Sequence, residues 1–243
     1  MTEKGRAVGY RDHLLGAGLA CAYLALLTCT SSEIGMSRDE GFYADSAERY
    51  ARWFTALLQD RDAAFHKDFI DQIWSANREH PPLMKSLFAL FYLAQQRFSL
   101  FTQDGLGYRF GGILTAGLLL WLIYIFGARA FGRPAGLFAA LSFAFIPRIF
   151  YHAHLAAFDV PIVLMITWTV YAYWRSLTRR RWALITGIAF AAALATKHNS
   201  WVLPGIFAIH FAWTATVELR RRTRSEEKHL SLVPWWLPSM ALV

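Results

Sequence analysis

Ser37-Arg38-Asp39-Glu40-Gly41-Phe42-Tyr43 is a polar stretch in an otherwise apolar chain, and it holds two adjacent carboxylates. Beside lipid, burial and neighbouring charge can tune a carboxylate to exchange protons near neutral pH. A second ionisable cluster follows at Arg78-Glu79-His80-Pro81-Pro82-Leu83-Met84-Lys85. Further along stand Arg109, Asp159 within Phe158-Asp159-Val160-Pro161, and Lys197-His198-Asn199 at the end of an alanine-rich run. Asp159 is the only carboxylate between Asp104 and Glu218. A base, several cations and aromatic neighbours suit group transfer from an anionic carrier. The base takes a proton from an acceptor hydroxyl, while Arg, Lys and His⁺ receive a departing phosphate. Plainer roles exist for each residue: a solvated hairpin at Asp39-Glu40, a helix cap at Asp159, a snorkelling side chain at Lys197.

The elements that must carry these residues are helices in a membrane. Of the 243 residues, 56% are hydrophobic and ten are tryptophan, which points away from a soluble globule. Apolar segments of about 18 residues or more recur, each long enough to cross a bilayer. The net charge of +8 comes from short arginine clusters between apolar segments, the pattern of cytoplasmic loops and not of a nucleic-acid surface. Cys21 and Cys29 share the first apolar segment, separated along a helix by about 12 Å of rise, beyond disulfide reach. The basic N-terminus before that segment resembles a signal sequence, but without a convincing cleavage motif it reads as a retained anchor.

Spans are expected at about 13–34, 110–126, 134–151, 160–174, 182–196 and 201–217, with another opening near Leu230. Lys4, Arg6 and Arg11 put the N-terminus in the cytoplasm and the Asp39-Glu40 loop on the outer side. From 42 to 58, Tyr43, Ala47, Tyr50, Phe54, Leu57 and Leu58 form an apolar stripe opposite Asp45, Glu48, Arg49 and Arg52. That spacing predicts an interfacial amphipathic helix. The segment 81–101 is apolar but carries Lys85, Gln95, Gln96 and Arg97, which are costly inside lipid. If it stays outside, the clusters at Arg129/Arg133, Arg175/Arg179/Arg180/Arg181 and Arg220/Arg221/Arg222/Arg224 all face the cytoplasm. If it crosses, all three face outward, so it is read as a second juxtamembrane or re-entrant helix. The fold expected is all-α: a polytopic transmembrane bundle with amphipathic helices on its outer face.

No Gly-rich phosphate loop, nucleophile elbow, Cys–His zinc spacing or internal repeat is present. His152 and His154 could touch a metal, but on a helix their side chains point about 200° apart. A divalent ion is compatible with the chemistry and not indicated by any spacing.

Taken in order, Asp39-Glu40, His80-Pro81-Pro82-Leu83-Met84-Lys85, Arg109, Asp159 and Lys197-His198-Asn199 give a chain that resembles the C-type membrane glycosyltransferases. The likeness is to the protein O-mannosyltransferase and aminoarabinose-transferase branch and runs from about residue 11 to 204. The resemblance implies Asp39 as catalytic base, with Glu40 beside it. It implies Asp159 as the second-loop acidic residue that shapes the site. His80, Lys85, Arg109, Lys197 and His198 are the implied contacts to the carrier phosphate or substrate. It further implies a polyprenyl-phosphate sugar as donor, a protein or lipid hydroxyl as acceptor, and a bacterial plasma (inner) membrane. Members of that family continue through more spans. The apolar run of about fourteen residues that closes this sequence is too short to cross, so the chain is expected to be the N-terminal part of one larger membrane domain.

Two other classes compete. A transporter or flippase for an anionic substrate predicts charges near the bilayer midplane and repeats, whereas these charges gather at one face. A non-catalytic scaffold predicts no special role for Asp39.

Overall fold

The computed structural model describes residues 7–224. Among these residues the chain is helical, with no strand. In order the helices are α1 (Tyr10–Thr30), α2 (Arg38–Gln59), α3 (Arg61–Phe65), α4 (Lys67–Trp74), α5 (Pro82–Phe98), α6 (Asp104–Phe131), α7 (Arg133–Phe145), α8 (Pro147–Ala153), α9 (Asp159–Ser176), α10 (Arg181–Thr196) and α11 (Val202–Arg224). The expected span near Leu230 lies outside the described residues, as do Lys4 and Arg6.

Among the described residues, three helices are long and apolar enough to cross a membrane: Tyr10–Glu33, Gly105–Phe131 and His198–Glu218. A fourth crossing forms if α7 and α8, bent by 72° to one another, count as one span. The bend has a local cause. Pro147 cannot donate the next helical hydrogen bond, and Ile146 before it is extended at ψ 118°. Helix α9, whose 18 residues include Asp159 and Arg175 at its two ends, falls short of the same standard, and α10 is apolar but only 16 residues long. Neither class includes α5, which packs along α2 and α6 and touches α10.

Helix α6 is the axis of the bundle. It packs against α1, α7 and α9, and its Ile113, Ala116, Leu119, Leu120 and Tyr124 are buried in the principal apolar cluster. At its end Gly132 takes φ 102°, a left-handed value that spares a side chain, and the chain turns straight into α7. Beside this turn Arg133 donates to both carboxylate oxygens of Asp12, at 2.5 and 3.1 Å, tying α7 to the start of α1. On the opposite end, a second apolar cluster joins α2, α4 and α5 through Ala47, Tyr50, Ile73, Met84 and Phe88.

Candidate active site

Asp39 and Glu40 open a helix; they do not sit in a loop as the sequence suggested. Ser37 caps α2, and its hydroxyl accepts from the Glu40 N–H at 3.4 Å while the Ser37 N–H donates to Glu40 Oε2 at 2.8 Å. This reciprocal pair is a capping box, and acidic residues in a first turn also suit the positive end of the helix dipole. Helical geometry then sends the two carboxylates apart. Glu40 is 1% exposed, whereas Asp39 faces solvent.

Glu40 is held on all sides. Arg109, near the start of α6, donates to Oε1 at 2.8 Å and Oε2 at 3.1 Å, and the Ala156 N–H donates to Oε1 at 2.9 Å. Burial pushes the Glu40 carboxyl up. The Arg109 guanidinium and the N–H groups of Ser37 and Ala156 outweigh that push and hold it below the ordinary range. Arg109 also donates to the carbonyls of Ser31 and Ile34, both at 2.8 Å, and of Gly35 at 2.9 Å. One guanidinium therefore fixes the segment between α1 and α2. Ala156 is within reach because Gly112 lets the chain pass against α6; a Cβ there would meet the Leu155 carbonyl at 2.5 Å.

Lys85 is similarly enclosed. It is 1% exposed, donates to the carbonyls of Ala76 and Asn77 at 3.0 and 2.7 Å, and lies 5.3 Å from the Tyr50 ring centroid. Burial pushes its ammonium down to about 8. It stabilises a tight turn in which Asn77 has φ 48°. The expected carrier contacts Arg109 and Lys85, and the expected catalytic Glu40, therefore have their polar atoms engaged within the protein. The physical reason is common to all three: each is buried, and a buried charge persists only with its hydrogen bonds satisfied.

The remaining charged residues form an open cluster at the same end of the bundle. Asp159 accepts from Lys197 at 3.0 Å, with His152 Nδ1 3.7 Å from its other oxygen, and its side chain is 55% exposed. Phe158, not Asp159, is the N-cap of α9, and no side chain caps that helix. The Asp159 carboxylate is thus turned to Lys197 and not to its own backbone. His80 stacks on Phe158 with centroids 4.7 Å apart, and the Tyr43 hydroxyl lies 3.3 Å from His80 Nε2. Tyr43 meets the same Phe158 ring edge-on at 4.5 Å.

Electrostatics links these groups to Asp39. Burial first, then the charges of Asp39, Asp159 and Glu79, push the Tyr43 phenol up to about 12. Burial, Lys197 and Lys85 lower the His80 imidazole against the opposing pull of Glu79 and Asp159, which favours the neutral ring. Asp39 itself makes no hydrogen bond or ion pair among the described residues. His198 is exposed and opens the short 3₁₀ turn His198–Trp201, just past Lys197. His154 belongs elsewhere: fully buried, it bridges Thr30 Oγ1 and the Phe150 carbonyl, both at 2.7 Å.

Sequence reasoning missed Tyr43, Phe158 and His152 as members of this cluster. Tyr43 was legible, since position i+4 from Asp39 shares its helical face. The stack of His80 on Phe158 joins residues on different elements and left no local signal.

The bundle, its buried clamp and its open charged end define a multi-pass, all-α membrane protein with a polar site at one end of its helices. The sequence profile of the dolichyl-phosphate-mannose-protein mannosyltransferase family matches residues 79–240, about two thirds of the chain, and the chain belongs to this family of membrane glycosyltransferases. The match begins at Glu79, after α2. No curated protein and no solved structure matches the chain.

Proposed function

We propose that the protein transfers a sugar from a polyprenyl-phosphate donor to a hydroxyl of a protein or lipid acceptor. Transfer takes place on the outer face of a bacterial plasma membrane, with the N-terminus in the cytoplasm. The reading rests on one observation above all: Asp39 is an exposed, unpartnered carboxylate beside a cluster that holds Lys197, His80 and Asp159.

Asp39 takes the acceptor's hydroxyl proton as the oxygen attacks the anomeric carbon. The bond from that carbon to the phosphate oxygen breaks, its electron pair leaves with polyprenyl phosphate, and the sugar inverts. Asp39 then returns its proton to water. Lys197, His80 and His198 receive the phosphate, and Asp159 holds Lys197 in position. Glu40, Arg109 and Lys85 are positioning residues that fix the backbone on which the cluster stands. Amphipathic α2 and α5 offer aromatic surface to the prenyl tail.

A transporter is disfavoured because the open charges gather at the ends of the helices and not at the middle of the bundle. The test is sugar transfer in membranes containing the protein, from radiolabelled polyprenyl-phosphate sugars, read as released polyprenyl phosphate and glycosylated acceptor. Release of neither product with any donor removes the enzyme reading. Cysteine labelling tests the topology separately. Positions 60 and 103 should react from outside, and positions 133 and 180 only from the cytoplasm.

A further inference from the structure

At the far end of α9 from Asp159 lies a different kind of site. Three polar hydrogens there are buried with no acceptor among the described residues: those on Arg129 Nε, Arg175 Nε and Trp182 Nε1. They come from the last turn of α6, the last turn of α9 and the start of α10. Arg175 is 8% exposed, and its guanidinium lies 5.0 Å from the centroid of the Trp182 ring. Tyr171 meets Trp182 edge-on at 5.5 Å, and Phe126 packs against Tyr171 and Trp174, so an aromatic wall joins α6, α9 and α10.

The charge here is one-sided. Arg175 has Arg129, Arg179 and Arg181 as charged neighbours, and no carboxylate pairs with it or with Arg129 among the described residues. Contrast the other buried arginine, Arg109, whose donors are fully taken by Glu40 and three carbonyls. A buried guanidinium with an orphan N–H, beside like charges, is destabilised unless something anionic completes it. General attraction of cytoplasmic loops to anionic membranes needs only exposed arginine. It gives no reason to bury Arg175 and to leave an indole N–H beside it unpaired.

We propose that Arg175, Arg129 and Trp182 form a binding site for a phosphate oxyanion, and that the phosphate is the headgroup of an anionic membrane phospholipid. Guanidinium groups match phosphate through paired N–H donors, and an indole N–H supplies a third donor of fixed direction. The position favours a lipid over a soluble phosphate. The donors sit at the ends of membrane helices, among the Trp, Tyr and Arg side chains that gather at a headgroup layer. The site is remote from the transfer site: Arg175 lies 16 residues beyond Asp159 on α9, which at 1.5 Å per residue separates the two by about 24 Å.

The test uses the detergent-solubilised protein with phosphatidylglycerol, phosphatidylcholine or inorganic phosphate, read by native mass spectrometry and by thermal unfolding. Phosphatidylglycerol should bind and raise the unfolding temperature where phosphatidylcholine does not. Arg175→Gln should weaken that binding by about tenfold or more, while Arg180→Gln, at an exposed arginine of the connection that follows α9, should leave it nearly unchanged. Trp182→Phe is the sharper variant, because it keeps an aromatic ring under Arg175 while removing the orphan donor. It should weaken phosphatidylglycerol binding, and the lost contact area should show separately as a small drop in the unfolding temperature of the lipid-free protein. Equal losses in Arg175→Gln and Arg180→Gln, or no loss of binding in Trp182→Phe, would overturn the site. Competition by millimolar inorganic phosphate would overturn the assignment to a lipid.

Discussion

Asp39 and Glu40 are neighbours in the chain, yet they belong to two regions of opposite character. Around Glu40, burial is nearly complete and each charge is matched, Arg109 by a carboxylate and three carbonyls; Lys85, buried farther along α2 beside Tyr50, is held in the same way by two carbonyls and an aromatic face. Around Asp39, the same residue types are half-buried or exposed, and their pairings leave polar atoms toward solvent. The difference shows that charge alone does not tell a side chain that holds the protein together from one that stays open to solvent. The clamp uses its charges to hold backbone, whereas the open cluster keeps polar atoms at the surface.

The largest effect that could break this contrast is at Asp39. Asp39→Asn should lower sugar transfer by about 10²–10⁴-fold, the usual consequence of losing a general base, with thermal stability unchanged. Activity near wild type would return Asp39 to a solvated helix start. Arg109→Met should act in the opposite way. It leaves Glu40 buried without its charge partner and should destabilise the fold by about 3–5 kcal/mol, measured by chemical or thermal unfolding in detergent. A stable Arg109→Met protein with weakened donor binding would move Arg109 from the clamp to the carrier site.

Lysines sharpen the contrast further. Lys197→Met should weaken donor binding by about 1.5–3 kcal/mol, the range for a hydrogen bond to a charged group. Lys85→Met should show its main effect in the unfolding temperature. Reversal of the two outcomes would exchange their assignments. The smallest expected effect is a pH dependence. Glu40 is held below its ordinary value of 4.5, so between the two values the folded state binds fewer protons than the unfolded state. Stability therefore rises with pH through the window beneath about 4.5 and is fully present above it. Acidification through that window should lower the unfolding temperature, and Glu40→Gln should flatten that part of the profile.

Much of this organisation was legible in the sequence. The period of Tyr43, Ala47, Tyr50 and Phe54 announced α2, and the arginine clusters announced the helix ends. That His80, Asp159 and Lys197 would gather at one end of the bundle was also legible, from the topology that put them on one side. Which charge would be buried was not. Glu40 is sealed by Arg109 and by the backbone of Ala156, partners 69 and 116 residues away, and no local pattern encodes such a meeting. Helical phase gave half of the answer, since adjacent residues in a first turn must diverge. The other half required knowing that Gly112 admits the 155–156 backbone against α6.

That meeting sets an order of assembly. A nascent chain that has emerged only through α5 contains α2 and its capping box but neither Arg109 nor Ala156. Its Glu40 must remain hydrated, and the segment before α2 has nothing to fix it. Arrival of α6 brings the guanidinium, and only after α8 has followed does Ala156 supply the final N–H. Loop closure over such separations adds little entropy for each doubling of length, so the clamp closes late without a large penalty. The charged end of the protein therefore takes shape from a helix near the start of translation, held by residues made much later. Translation products that stop before α6 lack the clamp that holds the start of α2, even though they contain Asp39.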